Sequence, residues 1–199
     1  MKSALCDRFG TEFPLFAFSH CRDVVAEVSK AGGFGVLGAV AHTAESLEID
    51  LNWIDEHIDG KPYGVDLLIP NKMENKKGAL TIEALEAAVP IEHRAHIEAL
   101  FRHHGVDVED LWSGKYGDKN YISNMQESGA IDLLDVAFRH PISMFVNALG
   151  VPPEGVIARC REQNIAVGAL TGAREHAIKH AEAGVDILVV SGTEAGGHC

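Results

Sequence analysis

Apolar positions along this chain fall into two alternating rhythms. Short unbroken runs of apolar and small residues recur, and after most of them the apolar residues return every three or four positions. Unbroken runs bounded by turn-forming residues suit strands buried on both faces, whereas the wider spacing is that of an amphipathic helix. The pattern predicts a first strand over Phe13-Pro-Leu-Phe-Ala-Phe-Ser19, closed by the polar pair Ser19-His20. A helix follows over 23–31, with Val24, Val25, Val28 and Ala31 on one face, and Gly32-Gly33 supplies the glycine that commonly closes a helix. Gly35 to Val40 is a second strand, Thr43-Ala-Glu-Ser46 opens a capped helix running to about His57, and Tyr63 to Ile69 is a third strand.

The rhythm breaks over 72–128, a polar, histidine-rich stretch with no convincing strand. It reads as a mainly helical and loop insertion, with helices over 81–88 and 91–103 and a loop over 118–126, and too few apolar residues for a core of its own. Alternation then resumes: a helix over 130–139, a strand over 142–147, a helix from Pro152-Pro153 to Gln163, a strand over 165–170, a helix over 173–183 and a last strand over 186–191. Strands that alternate with helices in this way form parallel sheets with right-handed crossovers. The expected fold is therefore α/β. The alternation describes either part of a (β/α)8 barrel or a doubly wound sheet; read as a barrel, 1–199 is one partial domain, an incomplete (β/α)8 TIM barrel of about six parallel strands, truncated after its last strand.

Composition narrows the function classes. The 199 residues carry a formal charge of −12, which argues against a nucleic-acid backbone as partner. No apolar run approaches the roughly 20 residues of a membrane span, and the N-terminus lacks a signal-peptide core. A cytoplasmic protein without a membrane anchor is the expectation. Cys6, Cys21, Cys160 and Cys199 are widely spaced, which suits reduced thiols rather than a disulfide framework or zinc site. His93, His96, His103 and His104 lie on a polar helical stretch without a supporting Cys or Asp cluster, so no metal site is expected.

Gly33-Phe-Gly-Val-Leu-Gly38 matches G-x-G-x-x-G, but a helix precedes it and a strand follows, the reverse of the dinucleotide fingerprint. Its glycines suit a helix end and a tightly packed strand instead. Polar residues stand at the ends of three strands: Asp66, Asn147 and Thr171. A site assembled from strand ends would show them, and so would capping alone. The sharpest feature is Ser191-Gly-Thr-Glu-Ala-Gly-Gly-His198 after the last strand, where paired glycines allow close backbone approach and an imidazole follows directly.

That loop resembles the signature loop of the nitronate monooxygenase family, formerly 2-nitropropane dioxygenases. Val28 to Gly38, Tyr63 to Ile69, Gly168 to Thr171 and Ala173 to Ala183 are similar to that family's early and late barrel elements. The resemblance implies an FMN-binding TIM barrel that oxidises nitronates or nitroalkanes with O2. His198 falls on the active-site histidine, the base that removes a proton α to the nitro group. Asp66, Ser191, Gly192, Gly196, Gly197 and Ala17 fall on cofactor-binding positions. Asp66 replaces the family's usual Asn and Ser191 its usual Gln, and Phe16-Ala-Phe-Ser19 lacks the usual Ala-Pro-Met run. An FMN- and NAD(P)H-dependent reductase of the enoyl-acyl-carrier-protein type is the alternative enzyme on the same scaffold. A truncated barrel that binds without turnover is the non-catalytic one. Oligomeric state is left open.

Overall fold

Six parallel strands follow one another across a single sheet in the order in which they occur in the chain: β1 (Phe16–Ser19), β2 (Phe34–Gly38), β3 (Tyr63–Leu67), β4 (Met144–Asn147), β5 (Ala166–Thr171) and β6 (Ile187–Val190). The computed structural model describes residues 2–69, 87–109, 111, 124 and 127–195. Among these, the helices are α1 (Ala4–Phe9), α2 (Arg22–Lys30), α3 (Ala44–His57), α4 (Ile91–His103), α5 (Glu127–Ala137), α6 (Glu154–Glu162) and α7 (Arg174–Ala183). A doubly wound sheet reverses its strand order at a switch point, and this one does not. The sheet curls instead into part of a (β/α)8 barrel, the one of the two folds left open by the strand–helix alternation that the family resemblance implies.

Parallel register sorts the side chains into two layers. Leu37, Val65, Phe145 and Val167 are consecutive register partners, all fully buried, and belong to the large core between the sheet and its helices. The alternate row, Val36, Gly64, Met144 and Ala166, faces the barrel interior, where a smaller apolar cluster includes Phe9, Phe34 and Val146. Alternation along each strand makes this division, because successive side chains point to opposite faces.

The helix layer is held close by small residues. A Cβ on Gly35 would lie 2.3 Å from the Val25 carbonyl oxygen, so α2 rests directly on the β2 backbone only because that position is glycine. Ser29 of α2 fastens the contact: its Oγ accepts the Gly35 N–H at 2.9 Å and donates to the Pro62 carbonyl at 2.8 Å. Thr43 caps α3 in a reciprocal capping box with Ser46, as the sequence predicts. Gly32, with φ +94°, follows the end of α2 in the left-handed conformation.

The sequence pattern did not predict α1. Its six residues are too few to show a periodicity, yet Phe9 wedges against Phe16 and Phe34 at ring distances of 5.6 and 4.8 Å. The helix thereby lies over the amino ends of the strands, and Arg8 pairs with Asp186 at 3.0 Å. β1 also begins three residues later than expected, since Glu12 and Phe13 spend their N–H groups on the Gly32 carbonyl rather than on a ladder. Within 72–128, α4 forms where expected, with no buried residue. Most of the helix expected over 81–88 and of the loop over 118–126 lies outside the described residues.

Candidate active site at the carboxyl ends of the strands

Three polar strand ends were candidates, and register separates them. Asn147 lies in the helix-facing row, fully buried, where its Oδ1 accepts the Ile69 N–H at 2.8 Å. Its Nδ2 donates to the carbonyls of Ile69 at 3.0 Å and Gly150 at 3.1 Å. Asn147 therefore staples the ends of β3 and β4 and has little capacity left for a ligand. Thr171 is also buried, and its hydroxyl donates to the Ala169 carbonyl at 3.3 Å.

Asp66 differs from both. It pairs in register with Gly38 and Val146, in the row that faces the barrel interior. Only 9% of its surface is exposed, and its carboxyl makes no hydrogen bond or ion pair among the described residues. Burial without compensation disfavours the charged form and pushes its pKa from 3.8 up to about 7. Near neutral pH the group is thus poised between a hydrogen-bond-donating acid and a carboxylate.

The other candidates surround this mouth or fall beyond view. Ala17 pairs with Gly35 in the helix-facing row, so any contact it makes at the mouth runs through its backbone. Ser191 donates its N–H to the Thr171 carbonyl at 3.1 Å, which holds the start of the loop against the end of β5. Gly192 is exposed and begins a turn closed by Ala195 N–H on its carbonyl at 3.1 Å. Gly196, Gly197 and His198 lie outside the described residues.

The structure adds a histidine that the sequence pattern treated only as the close of the first strand. His20 Nδ1 lies 3.1 Å from the Gly38 carbonyl, and its ring meets Phe18 edge-on at 5.0 Å. Both rings lie over Gly38, where a Cβ would come within 2.5 Å of Phe18 Cζ and 2.8 Å of His20 Cε1. Beside His20 is a cavity of about 470 Å³, lined by His20, Val40, Ala41, His42, Ser46 and Asp50. The signal available in the sequence was positional: a polar ring immediately after a strand, at the same end of the sheet as Asp66.

Among the described residues, no three His, Cys, Asp or Glu side chains are grouped to hold a metal ion. No helix among them is long and apolar enough to cross a membrane. Cys6, Cys21 and Cys160 are free thiols, and burial pushes that of Cys160 up to about 12.

Sequentially ordered parallel strands, with an unpartnered acid at their carboxyl ends, define the class: a (β/α)8-type barrel segment whose candidate site lies where barrels of this kind carry theirs. Residues 2–199 match the family model described as nitronate monooxygenase, and the chain belongs to that family. It is 45% identical over 200 residues to a Mycobacterium tuberculosis protein named "Putative monooxygenase Rv1533", covering 100% of this chain and 52% of the relative. It is 24% identical over 202 residues to a Staphylococcus aureus protein named "Probable nitronate monooxygenase", covering 99% and 50%. The nitroalkane oxidase of Streptomyces ansochromogenes has the same fold over 99% of this chain and 50% of its own, with a TM-score of 0.67 at 24% identity. The chain thus spans about half the length of the curated relatives it matches.

Proposed function

We infer that this chain builds part of the active site of an FMN-dependent oxidoreductase that oxidises alkyl nitronates or nitroalkanes with O2. Family membership supports the reaction class, and one structural observation carries the site: the nearly buried, unpartnered Asp66 carboxyl on the interior row at the carboxyl mouth. A buried polar group without a partner is costly, and a ligand that supplies the missing hydrogen bond relieves that cost. This fits a flavin edge, which offers both donors and acceptors.

When bound, FMN would supply the redox chemistry that links substrate oxidation to O2. The chain's residues supply position and proton handling. His198 takes the proton from the carbon bearing the nitro group, which neutral imidazole does readily near pH 7. Protonated Asp66 donates a hydrogen bond to the ligand, whereas ionised Asp66 opposes negative charge building up beside it. Ser191 brings a hydroxyl with no partner among the described residues, its N–H already spent on Thr171. Gly192, Gly196 and Gly197 allow close approach of the backbone, and Ala17 contributes main-chain contact from β1.

The test is an anaerobic flavin titration of the protein loaded with FMN. Nitronate should bleach the visible flavin bands, and with the neutral nitroalkane, whose α proton must first be removed, His198→Ala should slow bleaching by about 10²-fold, the usual scale for a general base. Bleaching by NAD(P)H but not by nitronate would replace this reading with the reductase. Bleaching by the nitroalkane at an undiminished rate in His198→Ala would remove the histidine from its role.

A further inference from the structure

The cavity beside His20 has polar walls whose hydrogen-bonding capacity is largely spent. Asp50 Oδ1 accepts from Arg22 Nη1 at 2.8 Å, and its Oδ2 lies 3.0 Å from His42 Nε2. That contact puts the His42 proton on Nε2, facing the carboxylate, while its Nδ1 is buried away from solvent. Ser46 Oγ accepts the Thr43 N–H at 2.9 Å and donates to the Thr43 carbonyl at 3.2 Å, within the cap of α3. Asn124 Nδ2 holds the carbonyls of Val40 and His42 at 2.8 and 2.6 Å, fixing the loop that forms the cavity wall.

His42 Nδ1 has no partner among the described residues but is closed off from solvent, which leaves His20, an exposed residue, as the exception a ligand can reach. Only a protonated ring nitrogen can face a carbonyl at 3.1 Å, so the Gly38 contact puts the His20 proton on Nδ1. In the neutral ring Nε2 is then a bare acceptor, and among the described residues it has no partner. Phe18 and Gly38 clamp the ring, while Val40 and Ala41 make the wall beside it apolar. A volume of about 470 Å³ suits a small organic group. Gly38, whose carbonyl faces the His20 ring nitrogen, is the register partner of Asp66, so the cavity opens one strand away from that proposed cofactor contact.

The geometry points to this cavity as a substrate-tail pocket in which His20 Nε2 sets specificity, favouring nitro compounds with a hydroxyl or similar neutral hydrogen-bond donor on a short apolar chain. The nitro group of such a substrate rests on the oxidoreductase reading; the donor preference rests on the His20 tautomer. A substrate with a methyl group in the same place would leave Nε2 without its bond. One neutral hydrogen bond at a partly exposed site corresponds to about a fivefold to tenfold preference.

The test uses 2-nitroethanol and 1-nitropropane, near-isosteres that differ by hydroxyl against methyl, titrated without flavin into the full ¹⁵N-labelled chain. The expected result is fivefold to tenfold tighter binding of 2-nitroethanol, with the His20 Nε2 resonance moving on saturation. In His20→Phe the preference should fall to about one while the cavity still takes both ligands. Equal affinities in the native chain would overturn the assignment, as would a His20 proton found on Nε2, and both readouts need no variant. A preference that survives in His20→Phe would overturn it as well. Equal affinities leave the flavin chemistry standing, whereas a flavin that nitronates cannot bleach sinks the oxidoreductase reading and leaves these affinities as measured.

Discussion

Replacing Asp66 by Asn should raise the protein's stability relative to the native chain as pH climbs from 4 to about 7. Asn has nearly the same size and shape, so packing against Gly38 and Val146 changes little and the difference reports on charge. Burial raises the Asp66 pKa from 3.8 to about 7. Between those values the unfolded chain releases its proton while the folded one still holds it, so the unfolded state gains and native stability falls with rising pH. The contribution is fully present below the unfolded value and lost once the pH has passed the folded one. Roughly three pKa units at about 1.4 kcal/mol each give an upper bound of about 4 kcal/mol. Asn never ionises, so it avoids this loss but carries its own pH-independent burial cost, about 1–3 kcal/mol. The assay is urea unfolding of both proteins without flavin at pH 4, 6 and 8. The stability of the variant relative to the native protein should rise across the series and level off above about pH 7. A relative stability that stays flat with pH would refute the argument, because it would mean that Asp66 is solvated or partnered in solution.

Two further substitutions test how the scaffold holds the mouth. Gly35→Ala places a Cβ against the Val25 main chain, 2.3 Å from its carbonyl oxygen and 2.8 Å from its Cα, which cannot rotate away. It should cost about 3 kcal/mol in a denaturant midpoint measured at constant m-value. Asn147→Ala removes all three hydrogen bonds that join Ile69 and Gly150 to β4 and leaves the buried Ile69 N–H unmatched. About 2–3 kcal/mol of stability should be lost, together with slow-exchange protection of the Ile69 amide.

Much of the barrel was legible because its signals are local. Continuous apolar runs marked every strand to within three residues, and Thr43-Ala-Glu-Ser46 and Gly32 marked helix ends, since capping is settled within one turn. The short plug α1 was missed because its stability comes from Phe9 packing on Phe16 and Phe34, residues that only the folded barrel brings together. The strand ends show the same division within the candidate site. Asp66, Asn147 and Thr171 look alike along the chain, each polar and each at a strand terminus, and capping predicted all three equally.

What the sequence determined by itself was the alternation of strands and helices, the reversed order that removes the dinucleotide reading, and the loop pattern that places the chain in its family. Tertiary structure alone decided which polar residue faces inward. A side chain's face depends on strand register, and the partners that set the register come from segments tens of residues away. Asn147 met Ile69 across 78 positions and became a staple, whereas Asp66 met no partner and became a candidate ligand. The same applies to His20, whose tautomer is set by the Gly38 carbonyl 18 residues along the chain. Sequence spacing can place an imidazole after a strand, but only folding supplies the carbonyl that decides which of its nitrogens carries the proton.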